Sequence, residues 1–113
     1  MMDHVSKDEL NAAAMQIILH AGDCRNLMNE AIIMTENDGN IEEIDAKLKE
    51  AKAEITEAHR IQTEMIQGTI EDDELETTLL FSHAQDTLMT IYSELNMTNS
   101  ILRLYRKLTN GGN

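Results

Sequence analysis

The chain has 113 residues and a formal net charge of −12, with no proline, no tryptophan, one phenylalanine and eight methionines. So acidic a surface disfavours nucleic acid, whose phosphates need Lys and Arg to neutralise them, and disfavours an anionic membrane face. Few aromatic residues beside much Ala, Leu, Met, Glu and Lys favour helices over strands, and the length fits one all-α domain over residues 1–113.

Residues 1–5 carry no periodicity and read as frayed. Ser6-Lys7-Asp8-Glu9 is a capping box, in which the Ser6 hydroxyl accepts from the Glu9 amide and Glu9 reaches back. It predicts a helix over 7–36. Leu10, Ala14, Ile17, Ala21, Cys24, Met28 and Ala31 alternate steps of four and three, which is one helix face. Ile18, Leu27, Ile32 and Ile33 widen that face, as expected of a helix touching more than one neighbour. Gly22 lowers helix propensity by roughly 1 kcal/mol and reads as a place of close helix approach. Cys24 is the single cysteine, so no internal disulfide forms. Its place in the apolar stripe makes it a small core residue rather than a nucleophile.

Asn37-Asp38-Gly39-Asn40 breaks the pattern with turn residues. Asn40 is placed to cap a second helix over 41–67. There Ile41, Ile44, Leu48, Ala51, Ile55, Ala58, Gln62 and Met65 repeat like a bundle seam. Gly68 reads as the residue that ends it, and His59, beside the seam, as a partly buried structural histidine. An acidic loop follows, from Gly68 to Glu74. A third helix over 75–109 ends at Asn110-Gly111-Gly112. Its seam is Phe81, Ala84, Leu88, Ile91, Leu95, Thr98, Leu102 and Tyr105. A second stripe, Leu79, Ser82, Asp86, Met89, Ser93 and Asn96, is either solvated or meets other copies of the helix.

Three long helices with short connections pack most simply as an antiparallel three-helix bundle. The wide arc on the first helix and the second stripe on the third leave apolar surface that one bundle cannot bury, so self-association is expected. No signal-peptide run opens the chain, and no stretch is long enough to span a bilayer. A cytoplasmic protein without direct membrane insertion is expected. The sequence holds no glycine-rich phosphate loop, no zinc-ligand spacing and no Ser/His/Asp arrangement.

The chemistry-bearing residues stand in the third helix. His83 and Asp86, at i and i+3, point the same way. A polar pair in an apolar setting has to be satisfied by something. Spacing leaves two readings: an interface histidine, or a neutral imidazole that carries a group covalently. No second base or acid stands beside them for hydrolysis. A group carrier needs only a nucleophile, an open approach and partners that bring the rest.

The segment Leu79-Leu80-Phe81-Ser82-His83-Ala84-Gln85-Asp86-Thr87-Leu88-Met89-Thr90 resembles the signature of the lactose/cellobiose-type enzyme IIA proteins of the bacterial sugar phosphotransferase system. Ala21-Gly22-Asp23-Cys24-Arg25-Asn26-Leu27 and Glu57-Ala58-His59-Arg60-Ile61-Gln62-Thr63 also look like that family, and the likeness runs from about Asn11 to Lys107. Ala84 in the motif is closer to cellobiose or chitobiose members than to lactose ones. The resemblance implies that His83 accepts a phosphoryl group from the phosphocarrier HPr, on Nε2. His83 would then pass the group to a cysteine of the sugar-specific IIB component. It further implies a homotrimer in which Asp86 gathers with its copies around a divalent metal, expected to be Mg²⁺, at the trimer axis. Thr87 departs from the family, which usually has a second histidine there; it keeps a hydroxyl but cannot take a positive charge. The reading from a different class is a non-catalytic helical assembly or adaptor module, with the His83 face as an interface only.

Overall fold

The computed structural model describes residues 5–71 and 77–110. Among the described residues three helices follow one another: α1 (Lys7–Glu36), α2 (Ile41–Glu71) and α3 (Leu79–Asn110). The chain is all-α, as the composition requires, with no strand among the described residues. The expected fraying of residues 1–4, the acidic stretch 72–76 and the stop at 111–112 lie outside the described residues.

Local chemistry sets the helix starts. The capping box at Ser6 forms in full: Glu9 N–H donates to Ser6 Oγ at 3.1 Å, and Ser6 N–H donates to Glu9 Oε1 at 3.2 Å. Asn40 Oδ1 accepts from the amides of Glu42 and Glu43, at 2.8 and 3.2 Å, opening α2. Between them the turn takes its left-handed residue at Asp38, with φ 56°, and not at glycine. Gly39 serves a different need. Its N–H donates to the Met34 carbonyl at 2.7 Å, and a Cβ there would stand 2.8 Å from that same oxygen.

Two boundaries and one terminus differ from the sequence expectation. Gly68 does not end α2, which continues to Glu71, and no described glycine has a positive φ. Gly68 instead lets Val5 pack close, since a Cβ there would collide with the Val5 side chain. Val5 is accordingly buried, not frayed. α3 begins at Leu79 and not at 75, because Thr78 caps it: Phe81 N–H donates to Thr78 Oγ1 at 3.1 Å.

Side-chain pairs along the bundle give its register. Glu30 meets Lys47 and His20 meets Glu54, so α1 and α2 run in opposite senses. Asp45 meets Arg106 and His59 stacks edge-on against Tyr92, so α2 and α3 do too. α3 therefore runs parallel to α1, held by a bidentate pair of Arg25 with Glu94 at 2.9 and 2.8 Å. The core is the predicted seam: Leu10, Ile17, Ile55, Leu88, Ile91 and Leu95 are fully buried, each contributing about 1.5–3 kcal/mol. Ile41 and Tyr105, placed in the seams from spacing, are instead half exposed, because both lie where the bundle opens beside the Asp38 turn.

Gly22 departs from the expectation of close approach: a Cβ there would have nothing within 4 Å. Gly22→Ala should therefore raise stability by about 0.5–1 kcal/mol through helix propensity alone. Thermal melts check this, and a lowered midpoint would mean that another chain approaches Gly22.

Candidate functional site

Thr78 sets where α3 starts, and so puts His83 in its second turn. Phe81, Ala84 and Leu88 of the same segment are buried, which turns His83 outward. His83 and Asp86 are both exposed, while Thr87, next to the buried seam, is half-buried. No hydrogen bond joins His83 to Asp86, and neither has a hydrogen bond or ion-pair partner among the described residues. The helix therefore presents an open imidazole with nothing among the described residues to block approach of a reacting group. The first turn of α3 holds no acidic residue. Negative charge arriving near this end of the helix meets the favourable end of its dipole.

The outward surface around this pair is apolar over a longer distance than the second stripe read from spacing. Leu79 is 89% exposed, and Met89, Met97, Ile101, Leu104 and Leu108 are all exposed large apolar side chains. The last four step by four, three and four along α3, continuing the line through Leu79, His83, Asp86, Thr90 and Ser93. The signal that locates this extension is the heptad-like spacing of those four residues after Asn96, which lies on a different line from the buried seam.

The other candidate groups are held elsewhere. His20 Nδ1 lies 2.7 Å from Glu54 Oε1, tying α1 to α2. His59 is half-buried against Tyr92, with ring centroids 5.0 Å apart. Burial pushes the Cys24 thiol up to about 11, helped by the Glu54 and Glu94 carboxylates. Its folded pKa lies above the ordinary value of 9.0, so thiolate at pH 8 is roughly 100-fold scarcer than in the unfolded chain. Iodoacetamide should therefore label Cys24 slowly in the native protein and rapidly in denaturant; equal rates would contradict the burial.

Among the described residues, no three His, Cys, Asp or Glu side chains are grouped to hold an ion. Asp86 supplies a single outward carboxylate. Among the described residues, no helix is long and apolar enough to cross a membrane.

Comparison with known proteins gives one consistent answer. Residues 12–106 match the family model described as the PTS system, Lactose/Cellobiose specific IIA subunit. The chain is 40% identical to the lichenan-specific phosphotransferase enzyme IIA component of Bacillus subtilis (strain 168), over 90% of this chain and 92% of that protein. It is 28% identical to the N,N'-diacetylchitobiose-specific EIIA component of Escherichia coli (strain K12), over 89% and 86%. The crystal structure of PtcA from S. mutans superposes with a TM-score of 0.82 at 33% identity, covering 90% of this chain and 99% of that one.

Proposed function

The chain belongs to the lactose/cellobiose-specific IIA family of the sugar phosphotransferase system and serves phosphoryl transfer in sugar uptake; from that premise we propose that His83 is the residue that carries the phosphoryl group. The observation that carries this reading is the open His83 imidazole: exposed, without an intramolecular partner among the described residues, and held outward by buried neighbours on its own helix. His20 and His59 are each engaged with another side chain.

The donor is the phosphocarrier HPr. The Nε2 lone pair of His83 attacks phosphorus as the donor–phosphorus bond breaks, and the pair from that bond returns to the donor. In the second step a cysteine thiolate of the IIB component attacks, the Nε2–phosphorus bond breaks, and His83 returns to neutral imidazole. Neither step needs a general base on this chain, because a neutral imidazole and a thiolate are already nucleophiles. A cytoplasmic location belongs to the same reading. Thr87, at i+4 from His83, offers a hydroxyl to the phosphoryl oxygens.

The outward apolar line on α3 supports a homotrimer in which three copies of this helix meet. On a three-fold axis a residue meets its own copies, so three Asp86 carboxylates would make an oxygen ligand set that the described residues of one chain do not. The residues fit a hard divalent cation such as Mg²⁺, with water completing its shell. Bound there, such an ion would neutralise the three Asp86 carboxylates, and the carboxylates would hold the helices in register around it.

Incubation with phosphoenolpyruvate and the general donors of the relay tests the reading. An acid-labile, base-stable label on histidine is expected. A non-catalytic adaptor module would take no label.

A further inference from the structure

A groove of about 520 Å³ opens between α2 and α3 over Leu48 and Leu102. Four of the chain's nine Lys and Arg residues line it, Lys49, Lys52, Arg103 and Arg106, against one carboxylate, Asp45. This concentration stands in a chain of 21 acidic residues. Glu50, between Lys49 and Lys52 in sequence, is exposed and outside the groove lining; farther along, Glu54 is engaged with His20, Glu57 with Arg60, and Glu94 with Arg25. Beyond Glu94, α3 has no Asp or Glu as far as Asn110.

Three of the four cations have no ion pair among the described residues; the fourth does. Arg106 donates to Asp45 at 2.8 Å. Arg103 reaches only Ser100 Oγ, at 3.4 Å. The Lys52 ammonium stands 5.5 Å from the centre of the Tyr92 ring. Lys49 has no hydrogen bond or ion pair among the described residues. Asn99 adds an amide at the wall, and Leu48 and Leu102 make an apolar floor.

We propose that this groove binds a compact phosphorylated small molecule, of the size of a sugar phosphate. Each wall, Asp45 to Lys52 and Asn99 to Arg106, runs about 10 Å along its helix. That is short for a protein partner, which needs on the order of 800 Å² on each side, and the volume lies within the usual range for small-ligand sites. The Arg103 guanidinium is a planar fork suited to phosphate oxygens, and Lys49 and Lys52 supply point charges. Asn99 is suited to hydroxyl groups, and the leucine floor to the C–H face of a ring. Asn99 lies about 24 Å along α3 from His83, so the groove is separate from the phosphorylated residue. It also faces away from the exposed apolar line of α3, and so stays open when copies of that line meet.

Amide chemical shifts of the full-length, isotope-labelled protein test this with four probes: glucose 6-phosphate, inorganic phosphate, glucose, and a peptide rich in Asp and Glu. Glucose 6-phosphate should give saturable shifts in the millimolar range, centred on Lys49, Lys52, Asn99 and Arg103 and weakened by added salt. Glucose should give none. The double variant Lys49→Gln/Arg103→Gln should bind at least about 10-fold more weakly with unchanged helicity. Asp45→Asn should bind more tightly, since a competing carboxylate is gone. Shifts spread equally over Lys7, Arg60 and Lys107, or no saturation, overturn the site. Inorganic phosphate binding as tightly as the ester overturns the sugar-phosphate class, and tighter binding of the peptide overturns the small-molecule reading in favour of an acidic protein. Labelling of His83 should be unaffected in every variant, which separates this proposal from the phosphoryl-carrier reading.

Discussion

His83→Ala should lose phosphoryl acceptance altogether and keep its fold. The side chain is exposed and makes no hydrogen bond among the described residues. Its removal should therefore change stability by no more than about 0.5 kcal/mol, as for most surface substitutions. Incorporation of label should fall to background, because no other described histidine is both exposed and free of a partner. His20→Ala gives up the contact with Glu54 and His59→Ala the edge-on contact with Tyr92. Both should still accept label near the wild-type rate. His59→Ala should lose about 0.5–1.5 kcal/mol of stability with its aromatic pair. Labelling of the three variants with phosphoenolpyruvate and the general donors, beside thermal melts, checks all of this. Wild-type labelling of the His83 variant would remove His83 from its role.

Asp86→Lys should break the proposed assembly into monomers, and Asp86→Leu should leave it assembled without need of a metal. In a three-fold arrangement three Asp86 carboxylates converge beside the apolar Leu79 and Met89. At about 4 Å and an effective dielectric of 20, each like-charge pair opposes assembly by roughly 4 kcal/mol. Protons or a cation must offset that. Three ammonium groups at the same place would meet with no counter-ion, whereas three leucines would join the apolar line that continues through Met97, Ile101, Leu104 and Leu108. Since Asp86 is exposed and unpartnered among the described residues of the single chain, neither substitution should unfold the monomer. Sedimentation of the wild type and both variants, with and without chelator, reads the outcome. A monomeric wild type, or an assembly that survives Asp86→Lys intact, would sink the axial arrangement.

The sequence alone was enough for the starts of α1 and α2, because the interactions that start helices span only three or four residues, although the equally local Thr78 cap of α3 was not read from it. The capping box at Ser6 and the Asn40 cap both form from neighbours in the chain. The buried stripes of α1 and α3 follow from the helical repeat. His83 was legible as a candidate for the same reason: it stands in a motif whose residue types and spacing lie within twelve consecutive positions. Long-range contacts decided what the repeat cannot encode. Periodicity says which residues share a face, but not which neighbour that face meets. Val5 is buried, and Gly68 stays helical, because residues 63 positions apart in the chain pack together. Ile41 and Tyr105 keep the seam spacing yet stand in the open, because the bundle parts at that end. The groove cations come from two helices, and only the antiparallel register that sets Asp45 against Arg106 brings Lys49 and Lys52 beside Arg103. His83 itself is open because buried Phe81, Ala84 and Leu88 commit the opposite side of α3 to the core, and that commitment exists only once α1 and α2 are there to receive it.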